Sequence, residues 1–193
     1  EKQKPQWNTN RIICVYHRQN GKEKNGSPLW ENRNKTTHNM KGQSSMEKIV
    51  VIGSDHAGYP LKNAIRDNLT TEGYTVIDVG TDSPASCDYP IYAAKVADAI
   101  VAGQAPLGIL CCGTGIGMSM AANKIKGIRA ACCSDIFSAK YTRIHNDANI
   151  LCMGARVIGE GLAMELVHAF LENEFEGGKH ARRIAMITEL ENR

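Results

Sequence analysis

The chain is short of aromatic residues, which make up 6% of it, and it has no apolar stretch long enough to cross a bilayer. The first shortage leaves little material for the aromatic sandwich that holds a flavin or a base. The second argues against a membrane protein. Charge of one sign is never concentrated: Lys and Arg alternate with Asp and Glu, and the formal net charge is +3 over 193 residues. No nucleic-acid partner is implied by that balance. The N-terminus also lacks the apolar core of a secretory signal.

Cysteine is present in an odd number, seven, at positions 14, 87, 111, 112, 132, 133 and 152. Five of these sit in apolar runs that read as buried strands, whereas disulfide frameworks belong to small, loop-rich secreted domains. Reduced thiols and a cytoplasmic setting are the expectation. No C-x-x-C motif and no second cluster with zinc spacing occurs, so no metal is expected.

The length allows one substantial core plus an accessory segment. Residues 1–45 are rich in Asn, Lys, Gln and Gly, and only Ile12 to Tyr16 is apolar enough for a strand. Such a segment buries too little to offset its ordering entropy. It is expected to be a mostly disordered extension, with Met46 a natural start for a domain over 46–193. An organelle address is the rival expectation for this basic, acid-poor segment, and the lack of an amphipathic Arg/Ser pattern counts against it.

From residue 47 onward, short apolar runs alternate with stretches of helical period, the pattern of a parallel sheet wrapped by helices. Strands are expected at 48–54, 75–80, 107–112, 128–133 and 150–154. Helices are expected near 60–72, 89–103, 116–124, 135–146, 159–174 and 180–191. Pro60 and Pro90 suit first helical turns, and Gly73 and Gly103 suit C-terminal caps. The fold class is therefore α/β: a doubly wound, three-layer, five-stranded parallel sheet with helices on both faces. Ligands of such sheets bind beyond the carboxyl ends of the strands, which selects Asp55, His56, Asp82, Asp88, Cys112 to Ser119, Ser134, Asp135 and Arg156.

"GTGIG" at 113–117 follows a strand and opens a helix, where small residues let backbone N–H groups approach an anion. Met118 stands where the dinucleotide fingerprint needs glycine, and the P-loop lysine is missing. An anion cradle competes here with a bare strand-to-helix turn. Strand alternation separates the adjacent thiols: Cys111 should face a helix-packed core and Cys112 the crevice. A helix N-terminus would make Cys112 a base or nucleophile, and a buried, inert thiol is the other reading.

Asp55 is either a helix-capping carboxylate or a site residue, and His56 beside it can contact phosphate or move a proton. His145 and Asn146 close a helix before the last strand. They are taken to share a sheet edge with Asp55 and Cys112, against the plainer reading of a capping histidine. Lys179 and Arg183, four apart on one helical face with His180 and Arg182 beside them, could hold a phosphate dianion or form a solvated basic face.

Several of these segments occur together in order: "GSDHAGYPLK", "DYP", "CGTGIGMSMAANK", "GIRAA", "HNDAN", "GARVIG" and "EGGKHARR". The series closely resembles the type B ribose-5-phosphate isomerase family, which includes isomerases of allose and galactose 6-phosphates. The resemblance covers nearly all of 47–193. It implies a Rossmann-like sheet, for which a flavodoxin-like strand order is expected, no cofactor, and an active site shared between two subunits of a homodimer, with tetramers left open.

By that resemblance Cys112 matches the carbon base of those members that use a cysteine, others using a glutamate from elsewhere, and Thr114 with Gly113, Gly115 and Gly117 matches an anion-stabilising loop. His145 matches the ring-opening residue, with Asp55 its sugar-hydroxyl partner. Asp88 and Asn146 match hydroxyl contacts. His56 and Arg156, joined by Lys179, His180 and Arg183 of the partner, match the phosphate side. Lys179 departs from the arginine common in the family, replacing a bidentate contact by a point charge. The implied activity is interconversion of ribose 5-phosphate and ribulose 5-phosphate. The rivals are a hexose 6-phosphate isomerase, a flavin- or nucleotide-binding flavodoxin-like module, and a non-catalytic sugar-phosphate sensor.

Overall fold

The computed structural model describes residues 48–193; the expectations for Ile12 to Tyr16, for residues 1–45 and for Met46 lie outside them. The elements run β1 (Ile49–Ser54), α1 (Tyr59–Thr71), β2 (Thr75–Asp78), α2 (Tyr89–Val101), β3 (Leu107–Cys112), α3 (Ile116–Ala122), β4 (Ala130–Cys132), α4 (Ile136–Asn146), β5 (Ile150–Gly154), α5 (Glu160–Leu171) and α6 (Lys179–Leu190). Each expected element is present, with β2, β4, α3 and α5 shorter than expected.

The helix stops follow from local chemistry. Gly73 and Gly103 adopt φ of 85° and 73° after α1 and α2. In each case the glycine N–H and the next N–H turn back onto carbonyls of the last turn: Gly73 to Thr70 and Tyr74 to Leu69, Gly103 to Ile100 and Gln104 to Ala99. This is the two-bond closure that a left-handed residue permits. Asp135 starts α4 by accepting the Ser138 N–H at 2.7 Å.

All five strands are parallel, in the order β2-β1-β3-β5-β4. The first three positions follow the flavodoxin-like expectation and the last two are exchanged. Burial accounts for the exchange. All five residues of β5 are buried, which requires neighbours on both sides. The three-residue β4 is half exposed and takes the edge. There the side-chain amide of Asn123 donates to Ala130 O and accepts from Ala130 N–H, both at 2.8 Å.

Alternation divides the core into two layers. Val50, Ile52, Ile109, Cys111, Leu151 and Met153 pack under α1, α4 and α5. Val51, Leu110, Cys112, Ile150 and Cys152 pack under α2 and α3. From β1 the chain passes to one neighbour, β2, and then across to the other, β3. The crevice above β1 and β3 is thus the point where winding reverses.

Candidate active site

At the carboxyl end of β1, Asp55 is buried, and its Oδ1 accepts the N–H groups of Ala57 at 2.9 Å and Gly58 at 3.0 Å. It therefore closes the turn leading into α1, whose N-cap is Gly58 and which receives no side-chain cap, while its second oxygen takes no hydrogen bond among the described residues. The N–H of Cys87 donates to His56 Nδ1 at 3.3 Å. A neutral ring accepting at Nδ1 carries its proton on Nε2, free to donate outward. Asp88 precedes α2 in extended conformation without using its carboxylate as a cap, so this exposed group is available to a ligand.

Cys112 and the glycine loop sit beside these groups. Gly115 takes φ 79° and its N–H donates to Cys112 Sγ at 3.1 Å. A side chain there would meet both Cys132 Sγ and the Met153 backbone at 2.9 Å, so position and conformation both demand glycine. Behind the loop, the turn after β5 is stitched to it by Ala155 N–H to Cys112 O at 2.8 Å and Arg156 N–H to Gly113 O at 3.1 Å. Those bonds lay the Arg156 side chain over Gly113, 3.6 Å from where a Cβ would stand.

The two thiols part as alternation required. Cys111 is fully buried under α1 and α5, and burial pushes its thiol well up from the ordinary value. Burial also raises Cys133, to about 11, and Cys152. Cys112 lies in the other layer and ends its strand at the loop, 5% exposed.

His145 and Asn146 are not on this edge, which corrects the expectation. A helix that starts at the carboxyl edge must run back to feed the next parallel strand, so α4 ends at the amino edge. Arg129, just before β4, donates through Nε to Asn146 O at 3.2 Å and Asp147 O at 2.8 Å there. The five residues of β5 separate the two edges by about 15 Å. A second group forms at the amino edge. The His145 and His180 rings stack with centroids 4.2 Å apart, Glu176 Oε2 lies 4.0 Å and 3.9 Å from their Nε2 atoms, and exposed Lys179 and Arg183 open α6.

The sequence-predicted residues thus fall into two groups: Asp55, His56, Asp88, Cys112, Gly113, Thr114, Gly115, Gly117 and Arg156 at one edge, and His145, Asn146, Lys179, His180 and Arg183 at the other. The model of the ribose/galactose isomerase family matches residues 50–187. The chain belongs to that family. It is 48% identical over 146 residues to ribose-5-phosphate isomerase B of Escherichia coli, covering 76% of this chain and 98% of that one. It is 47% identical over 139 residues to the D-erythrulose-4-phosphate isomerase of Pectobacterium atrosepticum, 72% of this chain and 91% of that one. The solved ribose-5-phosphate isomerase B of Clostridium thermocellum superposes with a TM-score of 0.74 at 51% identity, covering 75% of this chain and 97% of that one.

Three neighbours of this family's glycine loop and histidines were not singled out from sequence. Tyr89 packs its ring 2.9 Å from where a Gly117 Cβ would stand, and Cys132 Sγ lies under Gly115. Glu176 reaches the two histidines. Tyr89 follows Asp88 in "DYP", and Glu176 opens "EGGKH" three residues before Lys179.

Proposed function

We propose that this protein interconverts D-ribose 5-phosphate and D-ribulose 5-phosphate through an enediolate, in the cytoplasm, as a homodimer whose two active sites each combine the carboxyl-edge half-site of one subunit with the amino-edge half-site of the other. The reading assigns the activity to residues 46–193 and none of it to 1–45. One observation carries it: a thiol and an imidazole suited to the two proton transfers lie at opposite edges of one sheet, too far apart to share a substrate within a chain. Free thiols at the six described cysteines fit a reducing compartment.

The sugar must open before C2 can lose its proton, so one site needs a ring-opening acid–base group and a separate carbon base. His145 of the second subunit moves the proton between the anomeric hydroxyl and the ring oxygen, with Asp55 holding a sugar hydroxyl. Cys112 takes the proton from C2 and the electron pair moves into the C1 carbonyl to give the enediolate; the O2 hydroxyl proton passes to O1, and the proton held by Cys112 is returned at C1, leaving the carbonyl at C2. Thr114 and the N–H groups from Gly113 to Gly117 stabilise the negative oxygen of the intermediate. Asp88 and Asn146 bind hydroxyls. His56 through Nε2, Arg156, Lys179 and Arg183 hold the phosphate. His180, grouped with them by the resemblance, turns its ring to His145 instead. The proton moves between neighbouring carbons with no net redox change, so the reaction asks for no cofactor.

Steady-state assays test both role and substrate. Cys112→Ala is expected to lose about 10³-fold in kcat while still binding substrate, and Cys111→Ala to keep its turnover with a small loss of stability. Equal activity of the two removes Cys112 from the chemistry. Ribose 5-phosphate is expected to exceed allose 6-phosphate by about tenfold or more in kcat/KM, the scale set by one extra carbon in a fitted pocket. A preference for the hexose would assign the protein to the rival substrate.

A further inference from the structure

His180 is built unlike the cations beside it. Lys179 and Arg183 are exposed, whereas His180 is 8% exposed and lies face to face with His145, the planes 8° apart. The backbone explains this placement. Glu176 N–H donates to Ile144 O at 3.0 Å, which docks the segment after α5 onto the last turn of α4. Gly177 and Gly178, at φ 71° and 57°, then turn the chain into α6, and His180 N–H closes on Gly177 O at 3.1 Å. The same docking brings the Glu176 carboxylate to the Nε2 edge of both rings.

Burial first, then the neighbouring His145, Lys179 and Arg183, lower the proton affinity of His180 against the opposing pull of Glu176. At neutral pH the ring is an uncharged flat surface, poorly suited to holding a phosphate. Two imidazoles and a carboxylate are also a known cation set. Here the nearly parallel ring planes send their nitrogen lone pairs alongside one another, not to a common point, and Lys179 and Arg183 repel a cation.

We propose that His180 and Glu176 are positioning residues for His145: the His180 ring fixes the plane of the imidazole, and the Glu176 carboxylate, 4.0 Å away and so not hydrogen-bonded to it, draws the Nε2 edge electrostatically while leaving that nitrogen open to the ring oxygen of the sugar. The inference rests on the assignment of His145 to ring opening. A group held by a flat contact on one side and a carboxylate at its edge presents one geometry, and loss of orientation by an ångström is enough to cost a large factor in rate.

The test uses the full chain and four variants, His145→Ala, His180→Ala, His180→Phe and Glu176→Gln, with ribose 5-phosphate as substrate and inorganic phosphate as competitive inhibitor. His180→Ala is expected to lower kcat about tenfold with the phosphate inhibition constant unchanged, and His180→Phe, which restores a flat face, to recover most of that loss. Glu176→Gln, at a side chain 65% exposed and so neutral for folding, is expected to lower kcat severalfold with KM unchanged. The inference is overturned by unchanged kcat in His180→Ala and Glu176→Gln, by equal losses in the Ala and Phe forms, or by weakened phosphate inhibition in both His180 variants. If His145→Ala itself turns over at the wild-type rate, it is the ring-opening role of His145 that fails, a result distinct from the others.

Discussion

The two edges of one sheet hold their candidate site residues by different means. At the carboxyl edge the groups follow directly on strand ends, and backbone donors do much of the work: Gly115 N–H on Cys112, Ala57 and Gly58 N–H on Asp55, Cys87 N–H on His56. The site there is set by the sheet itself. At the amino edge the groups come from the end of α4 and the start of α6, and side chains join the backbone bond from Glu176 N–H to Ile144 O in holding them: stacked rings, a carboxylate at the edges of both imidazoles, and Asp147 pinned by Arg129 and Arg143. In a parallel sheet strands end at the carboxyl edge and the connecting helices end at the amino edge, so the second group of residues is drawn from helix ends.

The sharpest way to break this comparison is to disable each edge in a different subunit. Cys112→Ala and His145→Ala homodimers are each expected to be inactive, yet on subunit exchange about a quarter of wild-type turnover should return, because half the dimers are hybrids with one intact site of two. No recovery after verified exchange would mean that each chain works alone. A smaller effect separates the edges by stability. Asp147, at φ 45°, accepts both guanidinium groups where α4 ends. Asp147→Ala, which strands two partly buried cations on a left-handed residue, should cost roughly 2–3 kcal/mol in urea unfolding and also lower turnover through His145 and Asn146.

The smallest effect tests the start of the same helix, near the carboxyl edge. The Ser138 N–H holds the Asp135 carboxyl below the usual carboxylate range. Its contribution is therefore complete above that range and lost as pH falls through the lowered native value. The Tm difference between wild type and Asp135→Ala should be constant near neutrality and shrink in acid. A difference that persists in acid would show that the hydrogen bond is not its origin.

Local chemistry was legible in the sequence to the degree that it depended on neighbours in the chain. The alternation of runs, the caps at Gly73 and Gly103, and the division of Cys111 from Cys112 all follow from one or two residues' surroundings. The exchange of β4 and β5 does not, because it is a competition among distant strands for the centre of the sheet, won by the one with no exposed residue. The edge occupied by His145 was in principle readable, since a helix between parallel strands must end where the next strand begins. The nearness of Glu176 to His145 was not, because it depends on two glycines turning the chain between α5 and α6.

Asn123 has a consequence beyond the shape of β4. Its amide occupies the outward N–H and C=O of Ala130 much as a further strand would, and the opposite edge strand, β2, is only four residues long. A sheet closed off in this way offers little template for edge-to-edge growth. Any contact between two chains is thereby directed to helices and loops, and the strands themselves carry a low risk of aggregation.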